Sequence, residues 1–188
     1  MSETLPAGLN VSWVRGPVSS SVRPGTGALV GAGPRCLPDA ASPSGGLVLS
    51  PEPNTHPAVL SVVRTGRFVR RSVAWAPARR PGDVSSRYLL CVQLFVPRAA
   101  AIADCRSWLD DEHAGRQLAV AGASWYGGYE SLGGDFSFLN LWGIDAPEVI
   151  ETPEWAQARD TPWRERLLPD VVRTERALFV LDPIREEG

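Results

Sequence analysis

Lysine is absent from this sequence of 188 residues, and all 19 basic side chains are arginines. Schiff-base chemistry and the P-loop type of phosphate site both depend on a lysine amine, so the sequence excludes them. Cysteine occurs three times, at Cys36, Cys91 and Cys105. These cysteines stand far apart and are odd in number, which argues against a disulfide scaffold and favours a reducing compartment.

Long apolar runs are also missing. No stretch reaches the ~18 residues that a membrane helix needs, and residues 1–25 lack the basic start and apolar core of a signal peptide. The formal net charge is −2, which provides no polybasic surface for nucleic acid or an anionic membrane. No cluster of residues has zinc-ligand spacing. These absences predict a cytoplasmic protein without a membrane, nucleic-acid or metal partner.

The composition changes near Gly82. Residues 1–80 hold 10 Pro and 9 Gly and carry nine Arg against three acids, a net charge of +6, whereas residues 81–188 carry a net charge of −8. We therefore predict a Pro/Gly/Arg-rich extension of low order over 1–83, with short strands at most, and a folded domain over 84–188. An alternative places the true start at Val84, read from a GTG codon, so that residues 1–83 would lie upstream of it.

Two motifs in the first part bear on ligands. The glycine-rich stretch 25–33 has neither a preceding strand nor G-x-G-x-x-G spacing, so it does not indicate a dinucleotide site. A basic run with interleaved aromatics covers 64–80. Such a run could touch nucleic acid, but it is more typical of a solvated arm, which here could dock on the acidic second part.

The second part has a clear alternation of apolar patterns. Apolar residues spaced i, i+3, i+6 and i+7 predict an amphipathic helix from Arg98 to about Val120. Asp145 is expected to cap a short turn that starts with Pro147, and two Thr-Pro pairs each supply an N-cap followed by proline at the first helical position. Together they predict helical segments at 146–151, 153–160 and 162–168. Buried or alternating β-prone runs predict strands at 88–96, 124–132, 136–144 and 176–181. Two glycines within 124–132 suggest a β-bulge.

The predicted order is strand, helix, strand, strand, helix, strand. This is the ferredoxin-like βαββαβ plan, so we predict an α+β fold. Both helices would cover one face of the sheet. The other face carries large apolar groups and cannot remain in water. We therefore expect a second copy of the chain to cover it, which would give a homodimeric α/β barrel with a pocket between each sheet and its loops.

Several stretches of the second part match a known pattern: WLDDEH at 108–113, LAVAG at 118–122, PEVI at 147–150, TPEW at 152–155 and TPW at 161–163. Through them, residues 84–185 resemble the EthD-like family of the dimeric α/β-barrel superfamily. That family typically has a proline before the glycine that closes the first helix, where this sequence has Ala121. The superfamily includes cofactor-free monooxygenases, polyketide cyclases, lactone isomerases, haem enzymes and proteins without known activity.

Three polar residues are candidates for catalysis. His113 is the lone histidine of the second part and lies near the end of the first helix. The helix dipole and nearby acids would favour its charged form, making it a general acid or base, or else a helix-end residue that orders the loop. Gln93 and Asn140, like Trp142, lie on strands and are expected to face the barrel interior. They would donate to a carbonyl or oxyanion, or they are ordinary buried amides.

A set of aromatic residues is predicted to bind a flat hydrophobic substrate by stacking. Its members are Trp125, Tyr126, Tyr129, Phe138 and Trp142. The alternative is that these residues belong to the core or to the dimer interface. We prefer that alternative for Trp108, Trp155 and Trp163, since helical aromatics in this fold mostly pack on the sheet.

The sequence thus predicts a cofactor-independent small-molecule enzyme of secondary metabolism. It would be a cyclase, isomerase or oxygenase acting on a hydrophobic, aromatic or polyketide-like substrate. One alternative is a non-catalytic ligand-binding or accessory dimer. A second is a barrel protein that binds haem through His113. A third is an extended protein whose basic arm binds a partner.

Overall fold

The structure is a computed structural model that describes residues 5, 7–15, 29–35, 45–50, 61–133 and 136–181. For those of these residues that lie between 12 and 65, it describes the backbone only. Eight strands occur in these ranges: β1 Gly8–Arg15, β2 Leu29–Arg35, β3 Gly45–Ser50, β4 Ser61–Trp75, β5 Tyr88–Phe95, β6 Ala123–Ser131, β7 Phe138–Ile144 and β8 Arg173–Leu181. The α-helices there are α1 Ala99–Ser107, α2 Ala114–Leu118, α3 Pro153–Arg159 and α4 Pro162–Leu167. A π-helix, Trp108–His113, joins α1 to α2, and 3-10 turns lie at Pro147–Glu151 and Leu168–Asp170.

The elements of the second half follow the local sequence signals. Thr152 caps α3, its hydroxyl accepting from the Trp155 N–H at 3.1 Å, and Thr161 caps α4 by accepting from the Arg164 N–H at 3.2 Å. Each cap is followed by proline at the first helical position, where a missing N–H costs no hydrogen bond. The predicted segmentation of the second helical region is therefore confirmed.

The four strands of the second half form one antiparallel sheet in the order β8-β5-β7-β6. Counted from β5, this is the fourth, first, third and second strand, which is the ferredoxin-like order that follows from the βαββαβ plan. Helices α1 to α4 lie on its outer face. The predicted α+β ferredoxin-like domain is confirmed.

The first half differs from the predicted low-order extension, because it supplies four strands to the same barrel. Their order is β4-β1-β3-β2, again the fourth, first, third and second, and all pairs are antiparallel. Pairs β4–β6 and β2–β8 join the two sheets and close the ring. Proline density did not prevent strand formation: Pro34 lies at a register shift of β2, where the ladder does not need its N–H.

The expected second copy is therefore not required to cover the sheet, because residues of the same chain do so. Association of two chains stays a prediction. Residues 25–28 of the glycine-rich stretch, Cys36, Gly134 and Asp135 lie outside the described residues. No helix in the described ranges is long and apolar enough to cross a membrane.

Aromatic side chains fill the barrel interior. Trp125 and Tyr129 of β6 are fully buried and pack with Phe179 and with Phe68 of the first half. The Trp125 indole N–H donates to the Ser86 hydroxyl at 3.0 Å. Among the described residues, the part of the lumen next to β6 is therefore filled by side chains.

Glycines in β6 and β7 create space for side chains. A Cβ on Gly127 would lie 2.8 Å from Leu5, and one on Gly128 would lie 2.6 Å from the guanidinium of Arg71. The register of β6 against β7 shifts between Ala123 and Trp125 instead. The bulge of β6 against β7 is therefore not at the two glycines, as predicted. The glycines instead make room for neighbouring side chains.

A chain that begins at Val84 should not behave as a folded monomer. It would lack β1–β4 and would expose both the apolar inner face and the edges of β6 and β8. We expect a melting temperature at least ~10 °C lower, together with dimers or aggregates, by thermal denaturation and light scattering after gel filtration. A truncated monomer as stable as the full chain would contradict the role assigned to the first half.

Gly143→Ala should destabilise the protein by about 3 kcal/mol, as overpacking does in a filled core. Its new Cβ would lie 2.1 Å from the Trp125 indole nitrogen and 2.5 Å from the Ser86 hydroxyl. Gly115→Ala is the control, since no atom lies within 4 Å of the point that its new Cβ would occupy, and alanine there should stabilise α2 by about 0.5–1 kcal/mol. Urea unfolding measures both; equal stability of the two variants would contradict the packing assigned to Gly143.

Candidate functional site

A pocket lies between the outer face of the second-half sheet and the helices that cover it. Its volume is ≈60 Å³, room for about four water molecules at roughly 15 Å³ each. Apolar side chains form most of its wall, and the polar ones are few. The residues that line it are Val92, Leu94, Trp108, Leu109, His113, Asn140, Trp142, Arg159, Arg164, Leu167, Leu168, Val171, Thr174 and Arg176.

The π-helix Trp108–His113 places two of these side chains against each other. A π turn pairs residue i with residue i+5, so Trp108 and His113 fall on the same side of the helix. Their rings stack with centroids 4.4 Å apart and planes 28° apart. Trp142 of β7 meets the imidazole edge-on at 5.6 Å. The WLDDEH stretch thus supplies one wall of the pocket, and π turns of this kind are frequent at functional sites.

His113 is held neutral, which differs from the predicted charged form. The residue is 9% exposed, and burial lowers its pKa to about 3, with further lowering by Arg164, Arg159 and Arg176. These arginines outweigh the helix dipole and the acids that precede His113 in the sequence. Its Nδ1 is buried without a hydrogen-bond partner among the described residues. The imidazole is therefore a neutral ring beside an open space.

Asn140 is oriented by a chain of hydrogen bonds. The Tyr126 hydroxyl donates to Asn140 Oδ1 at 2.7 Å and accepts from Arg71 Nη2 at 2.9 Å. Asn140 Nδ2 makes a weak 3.5 Å contact with the Val92 carbonyl. Because Oδ1 is occupied by Tyr126, the amide presents its N–H donors on the other side, and the residue lines the pocket.

Arg71 brings the first half of the chain into this network. The register of β4 against β6 shifts between Arg70 and Ser72, so Arg71 is the extra residue of a bulge, a feature that often re-aims a side chain. Its guanidinium forms a salt bridge with Asp110 of the π-helix at 2.6 Å, with 7% of the arginine side chain exposed. The basic run thus docks on the acidic half, as expected, and Arg79 does the same with Asp145 at 2.7 Å.

The sheet separates the predicted site residues into two groups. Val92 pairs with Asn140, and Gln93 pairs with Leu139, so the two amides point to opposite faces of the sheet. Gln93, Trp125 and Tyr129 belong to the barrel interior. The expectation that Asn140 and Trp142 also face the interior is corrected, because their side chains belong to the helix-covered face. His113, Tyr126, Phe138, Asn140 and Trp142 share that face.

Among the residues that share the helix-covered face, Asn140, His113 and Trp142 line the pocket itself. Tyr126 does not line the pocket, but its hydroxyl donates a hydrogen bond to Asn140. Phe138 is fully buried and packs with α1 residues. Gln93 cannot reach the same ligand as Asn140 across the thickness of the sheet.

Sequence reasoning missed Trp108 and the three arginines of the pocket wall, Arg159, Arg164 and Arg176. Arg176 pairs across the sheet with Val92, which in turn pairs with Asn140, so one row of the outer face contains all three. An arginine at the start of the predicted strand RALFVL, which is otherwise apolar, was the available signal. Arg159 and Arg164 gave none, because the approach of α3 and α4 to the sheet is a tertiary event.

Neither a metal nor haem fits this site. No group of three or more His, Cys, Asp or Glu side chains that could hold a metal ion occurs among the described residues. His113 is stacked on Trp108 and faces a cavity of ≈60 Å³, which has no space for a porphyrin ring next to the imidazole. The haem alternative does not agree with the geometry.

No protein family model matches this chain, and no curated protein sequence is significantly similar to it. Solved structures of other proteins share its fold. The "Putative monooxygenase" of Fusobacterium nucleatum is 5% identical, with a TM-score of 0.57 over 95% of this chain and 94% of that one. An anthrone oxidase-like protein is 11% identical, with a TM-score of 0.55 over 94% of this chain and 92% of that one.

A major regulator of staphylococcal pathogenesis is similar at 8% identity, with a TM-score of 0.52 over 94% of this chain and 99% of its own. Each match covers both halves of the barrel, since one half alone could not account for such coverage. At these identities the likeness shows the fold. This likeness supports the dimeric α/β-barrel type of architecture. It does not show membership of the narrower EthD-like family.

Stability should fall with decreasing pH more steeply in the wild-type protein than in His113→Gln. Between pH 6.5 and about 3 the unfolded chain binds a proton at His113 that the folded chain does not, so the neutral form stabilises the fold above pH 6.5 and this contribution is lost as pH decreases. Going from pH 7 to pH 5 should cost the wild type about 2 kcal/mol more than the variant. Urea unfolding at both pH values measures this; parallel losses would contradict a buried neutral imidazole.

Proposed function

We propose that this protein is a cofactor-independent small-molecule enzyme of secondary metabolism, related to the EthD-like proteins. It removes a proton from a hydrophobic substrate of aromatic or polyketide type. The observation that carries the proposal is the meeting of His113 and Asn140 in one largely apolar pocket. One residue can move a proton, and the other can stabilise the charge that the proton leaves behind.

The walls of the pocket favour a flat substrate. Trp108 and Trp142 present ring surfaces, and Leu94, Leu109 and Leu167 complete the apolar lining. Aromatic substrates gain from both burial and ring stacking in such surroundings. The cavity volume of ≈60 Å³ holds the reacting part of a polycyclic molecule, so the remainder would extend through the mouth of the pocket beside the exposed Leu168.

His113 acts as the proton acceptor in this proposal. A base must be unprotonated, and the lowered pKa ensures that the imidazole is neutral at every physiological pH. A pKa of about 3 also makes the free imidazole a weak base. A substrate anion forming next to the ring would stabilise the imidazolium and restore basicity when it is needed.

Asn140 acts as the donor to the developing oxyanion. Tyr126 fixes the amide by donating to Oδ1 at 2.7 Å, so the donor is already oriented before the substrate binds. Preorganised donors of this kind lower the barrier because no reorganisation is needed during the reaction. Tyr126 and Arg71 are positioning residues for this amide.

Proton removal next to a carbonyl generates an enolate, which can follow three courses. It can attack a second carbonyl of the substrate in a cyclisation, regain a proton elsewhere in an isomerisation, or reduce dioxygen in an oxygenation. The names of two structural neighbours, a "Putative monooxygenase" and an anthrone oxidase-like protein, favour the third course. Anthrone is a suitable probe, since its methylene becomes a carbonyl as one dioxygen is consumed and one water is released.

The second candidate is a non-catalytic ligand-binding protein. The low pKa of His113 favours it, because a weak base sealed beside Trp108 would serve equally well to recognise a donor on a ligand. The two functions are separated by turnover: a binding protein takes up the aromatic compound without consuming oxygen.

The wild-type protein should oxidise anthrone with uptake of oxygen, and His113→Ala should lower kcat by about 10²–10⁴-fold, the range for a lost general base. Asn140→Leu should lower kcat by about 10²-fold or more, as removal of an oxyanion donor does. An oxygen electrode and the absorbance of the quinone product measure both rates. Unchanged turnover in His113→Ala would contradict the proton-transfer role.

Gln93→Leu is the matched control for Asn140→Leu, because it removes an equally buried amide, 2% exposed in both cases, from the opposite face of the same sheet. Its kcat should stay close to that of the wild type, provided that circular dichroism and melting temperature show a folded protein. The reverse result, with Gln93 essential and Asn140 dispensable, would move the site into the barrel. Binding of anthrone without oxygen uptake would support the ligand-binding alternative.

A further inference from the structure

Three arginine side chains surround the space beside His113. Arg159 ends α3, Arg164 lies in α4 and Arg176 lies in β8, and all three line the pocket. No acidic residue is among the lining residues of the described chain. The pocket is therefore apolar in its walls and positively charged at one end.

The two helical arginines share one carboxylate. Arg164 Nη1 donates to Asp160 Oδ1 at 2.9 Å, and Arg159 Nε donates to the same oxygen at 3.4 Å. Asp160 has 53% of its side chain exposed and does not line the pocket. The counter-charge is thus exposed to solvent and is not part of the cavity wall.

This arrangement of charges is unfavourable by itself. The side chains of Arg159 and Arg164 are 29% and 22% exposed, so like charges are mostly removed from water while one carboxylate serves both. Burial, followed by repulsion from Arg159, lowers the pKa of Arg164. Buried charges are tolerated when a counter-charge pairs with them, and here a ligand would supply the further counter-charge from inside the pocket.

The shape of the site favours a carboxylate. Guanidinium groups are planar forks that bind a carboxylate through two parallel hydrogen bonds. A cavity of ≈60 Å³ has room for a planar carboxylate and the ring edge that carries it. A tetrahedral phosphate dianion is bulkier and more costly to desolvate.

We propose that the substrate carries a carboxylate, which Arg159 and Arg164 bind while the aromatic body lies against Trp108 and Trp142. This inference rests on the proposed function and specifies its substrate class: an aromatic or polyketide-type acid. A neutral aromatic of the same shape fits the apolar walls but brings no negative charge to the cavity side of the arginines.

The bound carboxylate has a second effect, on His113. The same arginines that would hold it are those that suppress protonation of the imidazole. A negative charge between them and the ring offsets that suppression, so the substrate itself converts His113 into a stronger proton acceptor. An anthrone that carries a carboxylate should therefore be turned over faster than anthrone itself.

The first test compares three probes of similar size: benzoate, benzamide and phenyl phosphate. Isothermal titration calorimetry, in a buffer without carboxylates, should give a Kd for benzoate at least tenfold lower than for either of the others. Equal affinity for benzoate and benzamide would overturn the proposal, and tighter binding of phenyl phosphate would overturn the assignment to a carboxylate.

The second test removes the charges. Arg164→Gln and Arg159→Gln should each reduce the preference for benzoate at least fivefold while the Kd for benzamide changes less than twofold. Arg166→Gln is the control, because this arginine is exposed on α4 and does not line the pocket. A preference for benzoate that survives in the double variant Arg159→Gln/Arg164→Gln would overturn the assignment.

The third test follows the imidazole directly. The chain has two histidines, so a His113→Gln spectrum assigns the ring signals of His113 in NMR. Its pKa should increase on saturation with benzoate and, without ligand, in Arg164→Gln, whereas Arg166→Gln should leave it unchanged. A ring that titrates identically with and without benzoate would show that the anion binds elsewhere.

These binding results are independent of turnover. If His113→Ala keeps full activity but benzoate still binds through Arg159 and Arg164, the catalytic role fails and the acid-binding site stands. If His113→Ala loses activity but benzoate binds no better than benzamide, the enzyme stands and the carboxylate assignment fails.

Discussion

Two four-stranded sheets, one from each half of the chain, lie against each other inside this molecule and close into a ring. Pairing of β4 with β6 and of β2 with β8 covers the inner face that would otherwise be exposed and leaves no open edge among the described strands. The two sheets share the same strand order. The chain thus builds within itself the architecture that the dimeric α/β-barrel superfamily is named for, and the three structural relatives match both halves of it.

Closure of the barrel also brings a first-half residue into contact with the site on the outer face of the sheet. The bulge in β4 directs Arg71 of the first half toward Asp110 of the π-helix and toward the Tyr126 hydroxyl. Tyr126 in turn holds the amide of Asn140. The first half therefore contributes to the pocket without lining it, which gives this proline-rich segment a role beyond covering apolar surface.

Aromatic residues that fill the barrel interior explain why the pocket lies on the other side of the sheet. Trp125 and Tyr129 occupy the lumen, whereas Trp108 and Trp142 leave a gap between sheet and helices. Burial in that gap and the neighbouring arginines keep His113 neutral. The same charges that weaken it as a base prepare the pocket for an acidic ligand, so recognition and reactivity depend on one electrostatic balance.

The sequence alone determined the elements of the second half and their order, because caps such as Thr152 and alternating apolar strands are encoded by neighbouring residues. It also singled out His113 and Asn140. It did not determine which face each amide occupies, since that depends on which side of the sheet meets the first half. Nor did it reveal the arginines around His113, which come from α3, α4 and β8. Such encounters join residues far apart in the chain, and only the tertiary structure decides them.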